Sequence, residues 1–501
     1  MGPAERLRLY HRRTKHSVES IRAGGHFLDW DNEPSRFKDY LDLRAEPLRP
    51  FRDSGVAAHS AVAASARPNG ERPVDAEALS HLLFHAAGVS RPLRTPMGAF
   101  HFRTYASAGA LYPIEVYVVA GAVDELDPGV YHYAPREHGL HRVRRGDGRG
   151  ALGLAGAAPG AACLIVTGVP WRTAWKYTAR GFRHLFWDAG MMLANLLAAA
   201  AARGIRARVL LGFVDEAVDQ VVGVDGRTEF ALCVVVLGRG GGPAAAGIEP
   251  VDPRVAPLGP RPLTDPEIEA AREAVRLRTE DEAAVFRRGE ARAHAGAGTT
   301  IGPDPSDEVT LSEDPLEEVV RRRGSSRHLA GRGLPAAEYA AILDRALSGL
   351  PGDWRSPGPR AFVSAHALEG LPAGTFEYLT GQGFRPIAEG RFRAHVGHLC
   401  LDQRLGADAA ATTFLMADLD GYLEGLGGRG YAAAQLEAAV AAGRLYLGAY
   451  AQCLGASGIT FYDDEARAFF LTEAEPMLAV VLGPEGRRQD LIACRRERRG
   501  S

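Results

Sequence analysis

Leu126-Asp127-Pro128-Gly129-Val130-Tyr131-His132-Tyr133 has a diverged counterpart in Leu371-Pro372-Ala373-Gly374-Thr375-Phe376-Glu377-Tyr378, 245 residues further on. Each copy follows a strand-like run, 116–120 or 361–364, and leads into a turn and a hairpin. The order recurs downstream. An apolar helix at 189–203, a strand-like run at 207–212 and Asp215-Glu216-Ala217 correspond to 444–454, 458–462 and Asp464-Glu465-Ala466. The aspartate before each Glu-Ala reads as a helix N-cap. Each half closes on a β-rich run, 230–237 or 477–482. A shared order at offsets of 245 to 249 implies a duplication. The chain is therefore expected to fold as two alpha/beta halves of similar layout that pair as a pseudo-dimer within one chain.

The expected units are an N-terminal extension (1–75), a first half (76–245), a linker with a helix (246–310), a second half (311–490) and a basic tail (491–501). The linker helix opens with a capping box, Thr264-x-x-Glu267. The extension has no strong period, and its loops are candidates for a lid or a partner surface. With 46% hydrophobic and 24% charged residues the composition is that of a globular protein. A net charge of −2 gives no argument for nucleic acid or an anionic membrane. No apolar run reaches the roughly 20 residues of a membrane span, and the N-terminus lacks the apolar core of a signal peptide. The five cysteines, without Cys-x-x-Cys spacing, read as small buried hydrophobes in a reducing cytoplasm. No zinc, haem, Rossmann or P-loop pattern stands out, and His395-x-x-His398 has no third ligand nearby.

Of the 59 Lys and Arg residues only three are lysine: Lys15, Lys38 and Lys176. Arginine stays charged at any ordinary pH, whereas a desolvated lysine can lose its proton and act as a base. Lys176 stands beside Tyr177, a second group able to exchange a proton.

Two further segments complement each other. Arg321-Arg322-Arg323-Gly324-Ser325-Ser326-Arg327 opens the second half with forked cationic donors and hydroxyls suited to a phosphate. The first half has no such cluster. It carries instead Ala106-Ser107-Ala108-Gly109-Ala110-Leu111-Tyr112-Pro113, whose small residues let a flat ligand approach the backbone and whose amides could donate to a ring. Pairing of the halves would make one complete site for a ligand that is both planar and phosphorylated. Flavin mononucleotide (FMN) fits that description.

Ser107–Pro113, Trp175-Lys176-Tyr177 with Arg180-Gly181-Phe182-Arg183, Asp188-Ala189-Gly190 and residues 455–465 together resemble the SagB-type dehydrogenases of the nitroreductase-like flavoproteins. The resemblance covers roughly residues 90–240 and 315–485. It implies an α+β fold of tandem nitroreductase-like halves with FMN between them, so that no second chain is needed for one FMN site. It implies oxidation of azoline (thiazoline or oxazoline) rings in a ribosomally made precursor peptide, alongside a cyclodehydratase. By the same resemblance Arg323, Ser325 and Arg327 would hold the FMN phosphate. Ser107, Ala108, Gly109, Ala110 and Leu111 would line the isoalloxazine, with Gly458 and Ile459 opposite. Lys176 and Tyr177 would transfer protons, and Arg180 and Arg183 are candidates for lowering the Lys176 pKa or for ligand contacts. Two positions depart from the family pattern: Ala106 where proline is common and Met191 where histidine is common. The other expectations in view are a nitroreductase or NAD(P)H-dependent flavin reductase acting on small aromatics, and a flavin-free peptide-docking subunit.

Overall fold

The computed structural model describes residues 1–24, 26–67, 70–95, 98–121, 123–152, 160–240, 251–292, 299–303 and 309–486. The basic tail, Cys494 and parts of the linker lie outside them. The first half is built on a seven-stranded sheet of β1 (Ala45–Pro47), β2 (Ile114–Ala120), β3 (Gly129–Ala134), β4 (Gly139–Arg145), β5 (Ala162–Gly168), β6 (Ala207–Leu210) and β7 (Phe230–Leu237), in the order β1-β4-β3-β2-β5-β7-β6. The second half is built on a six-stranded sheet of β8 (Arg360–Ala365), β9 (Gly374–Leu379), β10 (Gly383–Glu389), β11 (Ala411–Ala417), β12 (Gly455–Ile459) and β13 (Glu475–Gly483), in the order β10-β9-β8-β11-β13-β12. Without β1 the two orders are the same, and every neighbouring pair in both sheets is antiparallel.

The helices that matter below are α1 (Pro3–Arg13), α2 (Pro170–Tyr177), α3 (Gly181–Ala202), α4 (Asp215–Val222), α5 (Pro266–Val275), α6 (Leu316–Arg322), α7 (Arg429–Ala451) and α8 (Asp463–Phe469). The long helices α3 and α7 are buried along nearly their whole length and pack against each other. Their approach depends on small residues. A Cβ at Gly190 would stand 2.4 Å from the Ala439 Cβ, and one at Gly443 would stand 2.5 Å from the Ala194 Cβ. By length and composition the stretch Pro170–Ala202 could cross a membrane, yet 89% of its apolar window is buried inside the protein. Its longer part, α3, is a core helix, and one apolar cluster runs unbroken through both halves.

The contacts between halves are reciprocal. Asp215, at the start of α4, pairs with Arg429, at the start of α7. Asp463, at the start of α8 and 248 residues after Asp215, accepts from Arg180 at 3.0 Å and from Arg183 at 3.1 Å, at the start of α3. The indole Nε1 of Trp187 donates to Gln435 at 2.6 Å, again across 248 residues. Equivalent positions therefore grip each other, as in an isologous interface.

Asp215 and Asp464 do not cap their helices. Val214 and Tyr462 occupy the N-cap positions, and the carboxylates of Asp215 and Asp463 turn to the opposite half. The linker helix is capped by Asp265, whose side chain accepts from the amides of Glu267 and Ile268, rather than by Thr264. The long helices start earlier than their apolar runs, because polar Arg183 and Asp188 are buried in α3 and Arg429 and Gln435 in α7.

The extension is sewn into the first half, the linker helix and the second half, where Lys15 pairs with Asp464 and Glu475. β1 pairs antiparallel with β4, α1 packs on α5, and Thr14 accepts from Arg180 and Arg183. Burial opposes charge on Asp463, but Arg180 and Arg183 hold its carboxyl down at about 2. Replacing Asp463 by alanine would strand two buried guanidiniums, an expected loss of about 3–5 kcal/mol in urea unfolding. Glu473→Ala, which breaks the exposed pair with Arg467, should leave the midpoint unchanged.

Candidate active site

The 107–113 loop is held from below and behind. Ser107 Oγ donates to the Asp188 carboxylate of α3, and the Ala108 amide donates to the same group at 3.1 Å. The Tyr112 amide donates to Ser107 Oγ at 2.9 Å. The Tyr112 carbonyl accepts from Arg172 at 3.0 Å, and Glu115 balances that guanidinium at 2.6 Å in a fully buried pair. The Ala110 carbonyl accepts from Arg36 of the extension at 3.1 Å. These anchors hold Gly109, Ala110 and Tyr112 at φ of 61°, 54° and 49°, a left-handed backbone that only glycine adopts cheaply.

One expectation changes here. The amides of Ala108, Ala110, Leu111 and Tyr112 are used within the loop or on Asp188. The loop therefore offers close backbone approach more than a row of free donors. The Leu111 side chain is buried with Trp171 and Trp175.

α2 brings Lys176 and Tyr177 against this loop. A Cβ at Gly109 would come within 2.9 Å of Tyr177 Oη and 3.1 Å of Lys176 Nζ. Lys15 pairs with Asp464 and Glu475, and Lys38 with Glu229. Lys176 is exposed, and no described residue hydrogen-bonds or ion-pairs with its ammonium, which lies 5.6 Å from the Tyr177 ring centre. Burial, followed by the Asp188 charge, raises the Tyr177 phenol well above its ordinary value, so it remains an O–H donor. Its ring stacks on His184 at 4.0 Å, and His184 packs edge-on against Trp187 at 4.4 Å. Both His184 ring nitrogens are buried without a hydrogen bond among the described residues. Burial, then the charge of Arg180, keeps the imidazole neutral. Arg180 and Arg183 are held by Asp463 and Thr14 and serve the contact between halves.

The second half reaches the same place. Arg323 Nε donates to the Thr104 carbonyl and Nη2 to the Arg103 carbonyl, each at 3.0 Å, just upstream of the loop. Its guanidinium lies 6.0 Å from the Tyr446 ring centre. Tyr446 Oη lies 3.3 Å from Ser325 Oγ and accepts from the Gly458 amide. Arg323 thus reaches first-half backbone just before the loop, and Ser325 and Gly458 gather on Tyr446, whereas the Ile459 side chain packs into a separate cluster with Phe461 and Val481. Arg327 is exposed and unpaired among the described residues.

FMN can be tested against these features. Arg327 and Ser325 offer exposed cationic and hydroxyl donors, and Arg323 uses three of its N–H groups on carbonyls. Gly458 is exposed, and a Cβ there would meet nothing nearer than Tyr446 Oη at 3.6 Å. An anion-binding donor set, an open glycine and a close-approach loop together fit a phosphorylated planar ligand. A cavity of about 420 Å³ lies against the N-terminal half of α2, but its lining contains none of these residues.

Antiparallel α+β sheets with long helices packed between them, and a polar site shared by both halves, define the class. Residues 64–239 match the nitroreductase family, so the chain carries a nitroreductase-family domain. A Methanocaldococcus jannaschii protein assigned as a nitroreductase is 29% identical over 180 residues, 35% of this chain and 86% of its own length. The microcin B17-processing protein McbC of Escherichia coli is 30% identical over 151 residues, 27% of this chain and 54% of McbC. The solved structure of an Anabaena variabilis protein, also assigned as a nitroreductase, has 24% identity and a TM-score of 0.72, covering 97% of this chain and 100% of that one. That likeness is one of fold along nearly the whole chain.

Asp188 stood out in the sequence only as part of Asp188-Ala189-Gly190, just before the apolar run, and its partners gave no signal. Tyr446 and His184 gave no signal. Burial pushes the Asp188 carboxyl up to about 7, against the pull of its Ser107 and Ala108 hydrogen bonds. The folded value lies above the unfolded one, so the stability tied to the neutral acid is present at low pH and lost as pH rises through about 7. In urea unfolding from pH 5 to 8, the advantage of wild type over Asp188→Asn should be largest at pH 5 and shrink toward pH 8.

Proposed function

We propose that this chain is an FMN-dependent dehydrogenase that oxidises azoline rings in a ribosomally made precursor peptide to thiazoles or oxazoles. It would do so as an intrachain pseudo-dimer holding one FMN site. The observation that carries the reading is Arg323, whose guanidinium ties the second half's Arg/Ser cluster to the backbone beneath the first half's loop. The identity with McbC, named for processing microcin B17, supports a peptide substrate. A cyclodehydratase that forms the azoline is the proposed partner.

Arg323, Ser325 and Arg327 would hold the FMN phosphate, with the 107–111 loop and Gly458 on either side of the ring. When bound, FMN supplies the two-electron acceptor. Oxidation of an azoline removes two electrons and two protons. Lys176 Nζ, exposed at the loop in the free protein and withdrawn from water only once the ligand covers it, would take the proton from the ring α-carbon. Tyr177, protonated and fixed by its stack on His184, orients the ring through its O–H. Asp188 keeps the loop at the distance both groups need.

Mass spectrometry of a cyclised peptide before and after incubation should show loss of two hydrogens per ring. Lys176→Arg should retain flavin and lower turnover by about 10² or more; unchanged turnover removes Lys176 from the role of base. Arg327→Ala should release flavin on desalting. The match to nitroreductases favours a second reading, a flavin reductase acting on small aromatics. Steady NAD(P)H consumption with no mass change in azoline peptides would select it. A colourless protein that cannot be reconstituted with FMN would select a docking role instead.

A further inference from the structure

Phe27 and Trp30 are large aromatic side chains that are 89% and 67% exposed. They stand on a stretch of the N-terminal extension whose backbone is pinned to the candidate site. His26 Nε2 bonds the Trp175 carbonyl at 2.8 Å, and Trp175 Nε1 donates to the Asp29 carbonyl at 2.8 Å. Asn32 exchanges two bonds with Arg261, at 2.9 and 3.0 Å. Leu28, between the two aromatics, packs inward on the cluster of Leu111, Trp171 and Trp175. The Trp30 ring meets Trp175 edge-on at 5.2 Å, and Trp175 is the residue before Lys176. Arg36, just beyond, holds the Ala110 carbonyl of the site loop.

An anchored backbone that displays two bare aromatics has already met the ordering cost of a binding surface. Exposed aromatics scattered singly mean little, but Trp30 rests on Trp175, the residue before Lys176, and Phe27 stands three residues before Trp30 on the same anchored stretch. The segment touches α2 at Trp175 and the loop at Leu111 and Ala110, so a peptide bound at Lys176 has this surface within reach. Resting on the proposed function, we propose that Phe27 and Trp30 form a subsite for the peptide chain next to the reacting ring. It would take a large apolar or aromatic side chain within a few residues of that ring. The extension would then set specificity for peptides over isolated rings. The extended peptide repeat of about 3.3–3.6 Å per residue limits the subsite to near neighbours of the ring.

The test uses the FMN-loaded full chain and two substrates: a capped single azoline, and a seven-residue azoline peptide with leucine or phenylalanine beside the ring. Wild type should favour the peptide in kcat/KM. In Phe27→Ala/Trp30→Ala that preference should fall about tenfold, mainly through KM, and Trp30→Phe should restore part of it. An unchanged preference in the double variant overturns the subsite. Binding of a fluorescein-labelled linear peptide, with serine in place of the azoline, is followed in parallel by anisotropy. If wild type oxidises neither substrate, the dehydrogenase reading fails, and anisotropy still decides the surface. Weaker binding by the double variant supports it, and equal binding overturns it.

Discussion

The structure depends on a charge grip between the two halves. Asp215 holds Arg429, and Asp463 holds Arg180 and Arg183, each carboxylate meeting the first turn of the other half's long helix. These groups are almost fully removed from water, so each charge is tolerable only because its partner is present. The grip fixes where α3 and α7 begin. Glycine at 190 and 443 then lets the helices approach until their backbones nearly touch. Such buried pairs add little net stability over apolar packing, but they penalise any other register between the halves.

The candidate site is a product of that register. Asp188 sits seven residues along α3 from its start and sets the 107–113 loop from beneath. Tyr446, on α7, orients Ser325 and the Gly458 amide from the other side. Arg323 closes the connection by bonding to Arg103 and Thr104. A shift of one helical turn, about 5.4 Å, would separate these groups. The loop's left-handed residues show that local conformation yields to tertiary anchoring here.

Much of the fold was legible in the sequence. The paired Leu-x-x-Gly hairpins and the closing strands 230–237 and 477–482 appear in place, because period and turn residues encode them locally, whereas the apolar helices were legible only in their C-terminal parts. The aspartates of the two Asp-Glu-Ala motifs were legible as landmarks but misleading as caps. A carboxylate at a helix start can satisfy its own amides or reach outward, and only the packing of the other half decides which. The extension gave no period because its short helices bury only a few apolar residues each, Leu7 and Tyr10 or Ala58, Ala61 and Val62, while His26, Asp29, Asn32 and Arg36 hold it by individual hydrogen bonds.

By itself the sequence determined that two stretches share the same order of elements, that one carries an Arg/Ser cluster and the other a small-residue loop, and that lysine is rare among the cations. These are properties of order, spacing and residue type. Only the tertiary structure decided that Lys176 stands exposed beside Gly109 while Lys15 and Lys38 are paired. It also decided that Arg180 and Arg183 serve the contact between halves and that Asp188 supports the loop. The reason is physical: a charged side chain takes its role from the partner that burial leaves within hydrogen-bonding reach, and those partners lie tens to hundreds of residues away.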